Sequence, residues 1–120
     1  MIIGGGIAGM EAARLSALRG HDVVLYEKES ELGGAFIAAA APSFKEADKK
    51  LIEWYKREIK SLNVIVKMNT KADENSVRSE NAEVLIVACG SVPKKLPVDG
   101  MEKQIVVNVK DELLSGCKES

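Results

Sequence analysis

The sequence predicts an α/β fold in which a parallel sheet is flanked by helices. Short apolar runs, each the length of a buried strand, alternate with stretches of helical periodicity along the 120 residues. A glycine-rich turn joins the first apolar run directly to a helical stretch. Strands that alternate with helices pair in parallel through right-handed crossovers. Ligands of such sheets bind at the carboxyl ends of the strands.

The first element is a short strand whose following glycines, Gly4, Gly6 and Gly9, fit the pattern G-x-G-x-x-G. Gly4 permits the sharp turn, Gly6 lets a pyrophosphate approach the backbone, and Gly9 lets the helix pack closely on the sheet. The helix that begins here directs its N–H groups and positive dipole end at the phosphates. The alternative is a purely structural glycine turn. The joint pattern of strand, glycines and helix favours a Rossmann-like dinucleotide-binding unit.

A second apolar run, residues 22–26, predicts a strand that ends at Glu27. A carboxylate about 20 residues beyond the glycines is placed to accept hydrogen bonds from an adenosine ribose. The alternative is an ordinary surface glutamate. Gly33 and Gly34 follow, and E-x5-G-G resembles the extended signature of FAD-binding flavoproteins. This pattern favours FAD or ADP over a nicotinamide nucleotide.

Two helical segments are predicted in the middle of the chain. Residues 35–41 form a loop or an irregular helix, which Pro42 ends. Ser43 and Glu46 match a capping box at the start of the next helix. Apolar residues at helical spacing predict the buried face of this helix: Phe44, Ala47, Leu51, Trp54, Tyr55, Ile59 and Leu62.

The remaining elements are predicted as a strand at residues 64–68, strands at residues 83–88 and 105–109, and a helix that starts at residues 111–114. The polar residues 73–82 give little signal beyond a short turn of helix within them. The run at residues 83–88 is the most apolar, and we expect it near the centre of the sheet. One domain should therefore extend over residues 1–116, followed by a frayed tail at residues 117–120.

Composition excludes several classes of function. The formal net charge is −1, so nothing favours nucleic acid as a partner. No apolar run approaches the roughly 20 residues of a membrane span. The two cysteines, Cys89 and Cys117, form no C-x-x-C pair, so neither a metal site nor a redox dithiol is indicated. A reducing, cytoplasmic setting is expected, with Cys89 as a small buried side chain.

We assign no catalytic residue to this chain. His21 is the only histidine, and it lies in a predicted helix–strand turn, away from the carboxyl ends of the strands. A Ser-His-Asp triad cannot be built from it.

The resemblance to a known family rests on four runs: GGGIAGMEAARLSALRGHDVVLYEKESELGG, APSFKEADKKLIEWYKREI, VIVKMNTKAD and VLIVACGSVP. The chain resembles the flavin-binding C-terminal module of enoate reductases, a group with dienoyl-CoA reductases and trimethylamine dehydrogenase. The resemblance implies a larger subunit, with an old-yellow-enzyme-like barrel that carries FMN and a 4Fe-4S cluster, an FAD domain and an NAD(P)H domain. It implies that this chain is a piece of the FAD domain, and that its partners are the barrel and the NAD(P)H domain.

By the same resemblance, the pyrophosphate is held by the three glycines and by the amides of Ile7 and Ala8. Glu27 binds the adenosine ribose with Lys28 close by, and the backbone of Ala72 contacts adenine. The resemblance also implies dinucleotide contacts by a motif that this chain contains as Ala88, Cys89 and Gly90. Two departures reduce the polar contacts: Cys89 replaces a threonine, and Ala35 stands where a glutamine often follows the glycine doublet.

The function implied is that of an NAD(P)H-dependent flavin oxidoreductase that reduces activated C=C bonds. FAD would relay electrons from the nicotinamide to the FMN and iron–sulfur centres. One alternative is a module that holds ADP or FAD without redox activity, and another is a stand-alone NAD-binding domain, which the glycine doublet disfavours. We expect the chain alone to turn nothing over. We also expect apolar sheet surface that favours a homo-oligomer.

Overall fold

The fold is a four-stranded parallel sheet with helices on it, seen in a computed structural model that describes residues 1–103 and 106–116. The strands are β1 (Ile2–Ile3), β2 (Val24–Tyr26), β3 (Ile65–Lys67) and β4 (Ile86–Val87). The helices are α1 (Ile7–Leu18), α2 (Ala35–Ala40), α3 (Glu46–Ser61), α4 (Glu74–Glu80) and α5 (Val109–Ser115). The predicted fold class is confirmed, because every strand pair is parallel.

The strand order β3-β2-β1-β4 places the first two strands at the centre. The register aligns Ile2 with Leu25 and Ile86, so these side chains share one face of the sheet. Helices α1 and α3 cover this face, and Met10 and Ile59 complete the core there. Burial of these apolar side chains is the main force that holds the helices to the sheet.

The opposite face of the sheet is covered only in part. The register aligns Ile3, Tyr26, Lys67 and Val87 on this face at the carboxyl ends of the strands. Val87 is 67% exposed, and Ile65 on the same face is 62% exposed. The sheet therefore has its hydrophobic core on one side only, within the part of the chain that the structure describes.

The expectation that residues 83–88 form a central strand is wrong. Only Ile86 and Val87 pair with a neighbour, and β4 is an edge strand. Val84 and Leu85 are exposed as a result. An apolar run indicates that burial of its side chains would be favourable, but burial requires another element that packs against it. The described residues contain no such element on the outer side of β4.

The predicted capping box at Ser43 and Glu46 is also wrong. Helix α3 begins at Glu46, its N-cap is Lys45, and no side chain caps it. Phe44 thus precedes the helix and is 83% exposed, so the predicted stripe is only partly buried. Ile59 lies in the core as expected, whereas Ile52 is buried in place of Leu51.

Other boundaries shift less. The segment at residues 35–41 is helical, and the turn predicted within residues 73–82 is the helix α4. The last predicted strand is wrong where it can be seen: Val106 to Asn108 form no strand, and Val109 begins α5. Residue 105 of that strand, the tail at residues 117–120 and Cys117 lie outside the described residues.

Candidate dinucleotide site

The turn after β1 explains why two of its glycines are needed by the fold itself. Gly4 has φ +106°, and a Cβ there would lie 2.2 Å from the carbonyl oxygen of Ala88. A Cβ on Gly9 would lie 1.8 Å from the carbonyl oxygen of Gly4, because α1 packs directly on the turn. The predicted packing roles of these two glycines therefore agree with the geometry.

Gly6 is different, because none of the residues that the structure describes prevents a side chain there. Its φ is −72°, and no heavy atom lies within 4 Å of the position that a Cβ would occupy. The first intrahelical bond of α1 runs from the Met10 N–H to the Gly6 carbonyl. The amides of Ile7, Ala8 and Gly9 are therefore at the open end of the helix, beside the space that Gly6 leaves.

Glu27 lies beside the same turn and is almost fully buried, with 6% of its surface exposed. One carboxylate oxygen accepts the N–H of Gly5 at 2.6 Å, and the other accepts the N–H of Glu29 at 2.8 Å. Its own backbone is bonded to Lys67 and Thr70, on the next strand and the loop after it. A carboxylate has about four acceptor positions, so two backbone donors leave capacity for hydroxyl groups of a ligand.

The glycine doublet, Gly33 and Gly34, packs against the glycine turn and pairs with its backbone. The Gly33 N–H donates to the Gly5 carbonyl at 2.8 Å, and Gly33 forms an isolated parallel bridge with Gly6. Both doublet residues have positive φ, and a Cβ on Gly34 would lie 3.2 Å from the Cα of Gly6. The doublet thus lets the segment before α2 lie against the backbone of the glycine turn.

The remaining predicted residues are also found at the carboxyl ends of the strands. The exposed Lys28 is paired with Glu29 at 3.5 Å. Ala72 is half-buried in the loop after β3. The Ala88 N–H donates to the Ile3 carbonyl at 2.8 Å, and Gly90 follows with φ +69°. The structure therefore brings every predicted site residue to one edge of the sheet.

Cys89 corrects an expectation. Its side chain is exposed, although we expected it to be a small buried group. The reason is that β4 is an edge strand with no neighbour on its outer side among the described residues. Its Sγ lies 3.8 Å from the Ile3 carbonyl, a weak contact.

Sequence analysis did not predict a cluster of three polar side chains that begins at Tyr26, the residue before Glu27. The Tyr26 hydroxyl donates to Glu80 at 2.5 Å, and Lys67 donates to both Glu80 and the Tyr26 hydroxyl. Strand register could have paired Tyr26 with Lys67, but no sequence signal brings in Glu80 from α4. The hydrogen bond from the Gly5 N–H to Glu27 was missed as well, since Gly5 lies outside the three-glycine pattern.

Two concave regions have no residue of the glycine turn in their lining. One of about 420 Å³ lies between α3 and β3, and one of about 680 Å³ surrounds His21 near the amino ends of the strands. The predicted place of His21, away from the nucleotide edge, is thus confirmed. A dinucleotide lies extended over the crevice at strand ends, so a deep cavity at the glycine turn is not required.

Neither a metal site nor a membrane helix is found within residues 1–103 and 106–116. No group of three or more histidine, cysteine, aspartate or glutamate side chains is placed to hold a metal ion. No helix in this part of the chain has the length and apolar character needed to cross a bilayer.

Comparison with known proteins shows the family to which this chain belongs. The family model described as pyridine nucleotide-disulphide oxidoreductase matches residues 1–115, and the chain belongs to this family. The relatives include a cinnamate reductase and a multifunctional alkene reductase/demethylase, which confirms the resemblance to the enoate reductase group inferred from the sequence. The oxidoreductase, flavoprotein and dinucleotide-binding character of this family follows from the same matches.

Three particular relatives show how far the likeness extends. Cinnamate reductase of Clostridium sporogenes is 40% identical over 95% of this chain and 17% of its own length. NADH oxidase of Thermoanaerobacter brockii is 36% identical over 85% of this chain and 15% of its own length. A solved structure of 2-naphthoyl-CoA reductase with 2-naphthoyl-CoA superposes with TM-score 0.88 at 36% identity, over 95% of this chain and 17% of that one. The chain thus spans about a sixth of the length of these relatives.

Proposed function

We propose that this chain binds FAD through its adenosine diphosphate half, as the FAD-binding part of an NAD(P)H-dependent flavin oxidoreductase that reduces activated C=C bonds. The observation that carries the proposal is the open space at Gly6. The fold gives steric reasons for Gly4 and Gly9 but none for Gly6, whereas a pyrophosphate beside the α1 amides supplies one.

The residue roles in this proposal come from the family resemblance, and the positions of the residues support them. The amides of Ile7, Ala8 and Gly9 would donate to the pyrophosphate. Glu27 would accept the ribose hydroxyls with the capacity that its two backbone donors leave, and Lys28 would lie near them. Ala72 would contact adenine. Ala88, Cys89 and Gly90, at the end of β4, would line the dinucleotide on the other side of the turn.

The wider role is supported by the relatives, which include a cinnamate reductase and an NADH oxidase. Bound FAD supplies hydride and electron transfer between the nicotinamide and a further acceptor. In this proposal the FMN and 4Fe-4S centres belong to a barrel outside this chain. The NAD(P)H domain is likewise outside it, so the isolated chain turns nothing over. A reducing, cytoplasmic setting fits this chemistry.

A module that holds ADP or FAD without redox activity is the second candidate. It is favoured by the fact that the glycine turn and Glu27 together match only the ADP half of the ligand. Titration with FAD, followed by absorbance, separates the two candidates. A flavin spectrum that stays with the chain on gel filtration supports the first, and binding of ADP with no retained flavin supports the second.

The test of the site is the substitution Gly6→Ala, followed by calorimetry with ADP. The methyl group meets no protein atom, so the stability should stay within about 0.5 kcal/mol of the wild type. Affinity for ADP should fall at least about tenfold, since the methyl group occupies the space of the pyrophosphate. Equal affinity in the variant and the wild type would overturn the proposal.

The matched control is Gly20→Ala, at the opposite end of the sheet. Gly20 also has open space around its Cβ position, but its φ is +87°. This variant should lose about 1 kcal/mol of stability and keep its affinity for ADP. The two variants therefore separate a ligand requirement from a backbone requirement.

A further inference from the structure

We infer that Tyr26, Lys67 and Glu80 form a latch that positions the loop at residues 68–73 for the adenine end of the nucleotide. This inference rests on the proposed function, and it assigns positioning residues to the same site. The latch consists of these three side chains. It connects the sheet to α4, and α4 follows the loop in the chain.

The latch is the polar attachment of α4 to the sheet. No residue of α4 is buried, so apolar packing alone holds it weakly. Among the described residues, Glu80 is the one α4 side chain with hydrogen bonds beyond the helix and its cap. Its carboxylate accepts from the hydroxyl of Tyr26, which is 5% exposed, and from the ammonium group of Lys67.

The latch is rigid because its members also contact one another. The Lys67 ammonium group donates to the Tyr26 hydroxyl at 2.9 Å, and it lies 4.9 Å from the centre of the Tyr26 ring. Each of the three side chains therefore contacts the other two. Charge-assisted hydrogen bonds of this kind are stronger and more directional than neutral ones.

The loop at residues 68–73 is connected to the latch at both ends, directly at Lys67 and, through the whole of α4, at Asp73. It begins directly after Lys67, and it ends at Asp73, the N-cap of α4. Between these points, the Thr70 N–H donates to the Glu27 carbonyl at 2.8 Å, and the Asn69 N–H donates to the Glu29 carbonyl at 3.0 Å. The loop thus lies against the residue proposed to bind the ribose.

A polar latch fits a positioning role better than a role in stability alone. The Lys67 and Glu80 side chains are 41% and 20% exposed, and an ion pair in contact with water contributes little net stability, so an apolar contact would hold α4 equally well. A polar cluster with fixed donors and acceptors instead favours one placement of the helix and of the loop before it. The placement matters here because Ala72 lies in that loop.

The test compares Glu80→Ala with the wild type, by calorimetry with ADP and with inorganic pyrophosphate. Loss of the latch should lower the affinity for ADP about tenfold, and leave the affinity for pyrophosphate within about twofold, because only ADP reaches the loop. Equal losses for both ligands, or no loss for either, would overturn the inference.

Two further variants control the experiment. Glu74→Ala removes an ion pair with Arg78 on the exposed side of α4, so it should change neither affinity. Glu80→Gln keeps an acceptor for Tyr26 and should restore most of the ADP affinity. A loss of ADP affinity in Glu74→Ala as large as in Glu80→Ala would show that any weakening of α4 has this effect, and would overturn the inference.

Hydrogen exchange decides the inference without a ligand. The amides of Asn69 and Thr70 should exchange faster in Glu80→Ala, and at the wild-type rate in Glu74→Ala, since their bonds depend on the loop position. Unchanged exchange in Glu80→Ala would overturn the latch. If the wild type binds neither ADP nor pyrophosphate, the proposed function fails, and the exchange rates still decide whether the latch holds the loop.

Discussion

At the residue scale, the glycine turn contains residues that are glycine for different reasons. Gly4 and Gly9 have backbone atoms where a side chain would stand. Gly6 has open space, so no described residue gives a steric reason for glycine there. The sequence pattern predicts a different role for each of the three, and the coordinates give the steric reason for Gly4 and Gly9.

The substitution Gly9→Ala should therefore damage the fold rather than the site alone. The added methyl group would overlap the Gly4 carbonyl oxygen at 1.8 Å, so α1 must move away from the turn. We expect the free energy of unfolding to fall by at least about 3 kcal/mol, measured by urea denaturation. Gly6→Ala is the control, and a similar stability for both variants would contradict this assignment.

At the element scale, the local signals for helix starts were only partly reliable. The capping box predicted at Ser43 and Glu46 is absent, whereas one is formed at α4, where the Asp73 carboxylate accepts the Ser76 N–H at 2.8 Å. Both segments carry suitable residues at the right spacing. The difference is that the chain before α3 follows a turn after Pro42 that leaves Lys45 at the N-cap position.

A pair of alanine substitutions checks these two helix starts. Asp73→Ala should lower the free energy of unfolding by about 1 kcal/mol, because the N-cap bond of α4 is lost. Ser43→Ala should change it by less than about 0.5 kcal/mol, since Ser43 caps nothing. Urea denaturation followed by circular dichroism measures both. A larger loss for Ser43→Ala than for Asp73→Ala would show that the box at α3 does form in solution.

The latch between α4 and the sheet should also give a pH dependence. Hydrogen bonds from Lys67 and then from Tyr26 lower the pKa of the Glu80 carboxyl below its usual 4.5, and the Met1 amino group adds to this effect. The bond to Glu80, and then that to Tyr26, raises the pKa of Lys67 above its usual 10.5. The stabilisation of the fold by the Glu80 carboxylate is therefore complete above pH 4.5, and it is lost as the pH falls through the lowered pKa of Glu80. The stabilisation by the Lys67 ammonium group is complete below pH 10.5, and it is lost as the pH rises through the raised pKa of Lys67.

The measurement is the free energy of unfolding from about pH 3 to pH 6, in the wild type and in Glu80→Gln. The wild type should lose more stability than the variant as the pH falls, because other acidic groups titrate equally in both. If the free energy of unfolding changes with pH equally in the two proteins, the lowered pKa of Glu80 is contradicted.

At the scale of the whole molecule, the described residues cover one face of the sheet and cover the other face only in part. Helices α1 and α3 pack over Ile2 and Leu25, while Val87 and Ile65 on the opposite face remain exposed. The edge strand β4 adds backbone groups that can pair with another chain. An apolar face beside an open edge favours association.

We expect this chain to self-associate as its concentration rises, measured by sedimentation. Val87→Lys should shift the equilibrium toward the monomer, because it places a charge on the exposed face of the edge strand. Phe44→Lys is the matched control: Phe44 is also exposed, at 83%, but it lies outside the sheet. A wild type that stays monomeric, or an equal effect of both substitutions, would contradict a role for β4.

The sequence by itself determined the features that depend on neighbouring residues. Alternating apolar runs and helical periods predicted the parallel sheet, and the strand–glycine–helix pattern located the turn. The same alternation placed Glu27 beside that turn, because parallel strands end at one edge of the sheet. Each of these needs only local spacing and turn chemistry, which a single sequence contains.

Only the tertiary structure decided what depends on residues far apart in the chain. It made β4 an edge strand, exposed Cys89, and brought Glu80 from α4 to Tyr26 and Lys67. It also showed that a side chain at Gly6 would contact none of the described residues beyond its chain neighbours. Periodicity shows that a strand or helix is apolar on one face, but burial and hydrogen bonding require a partner surface. The identity of that partner is set by the packing of the whole chain.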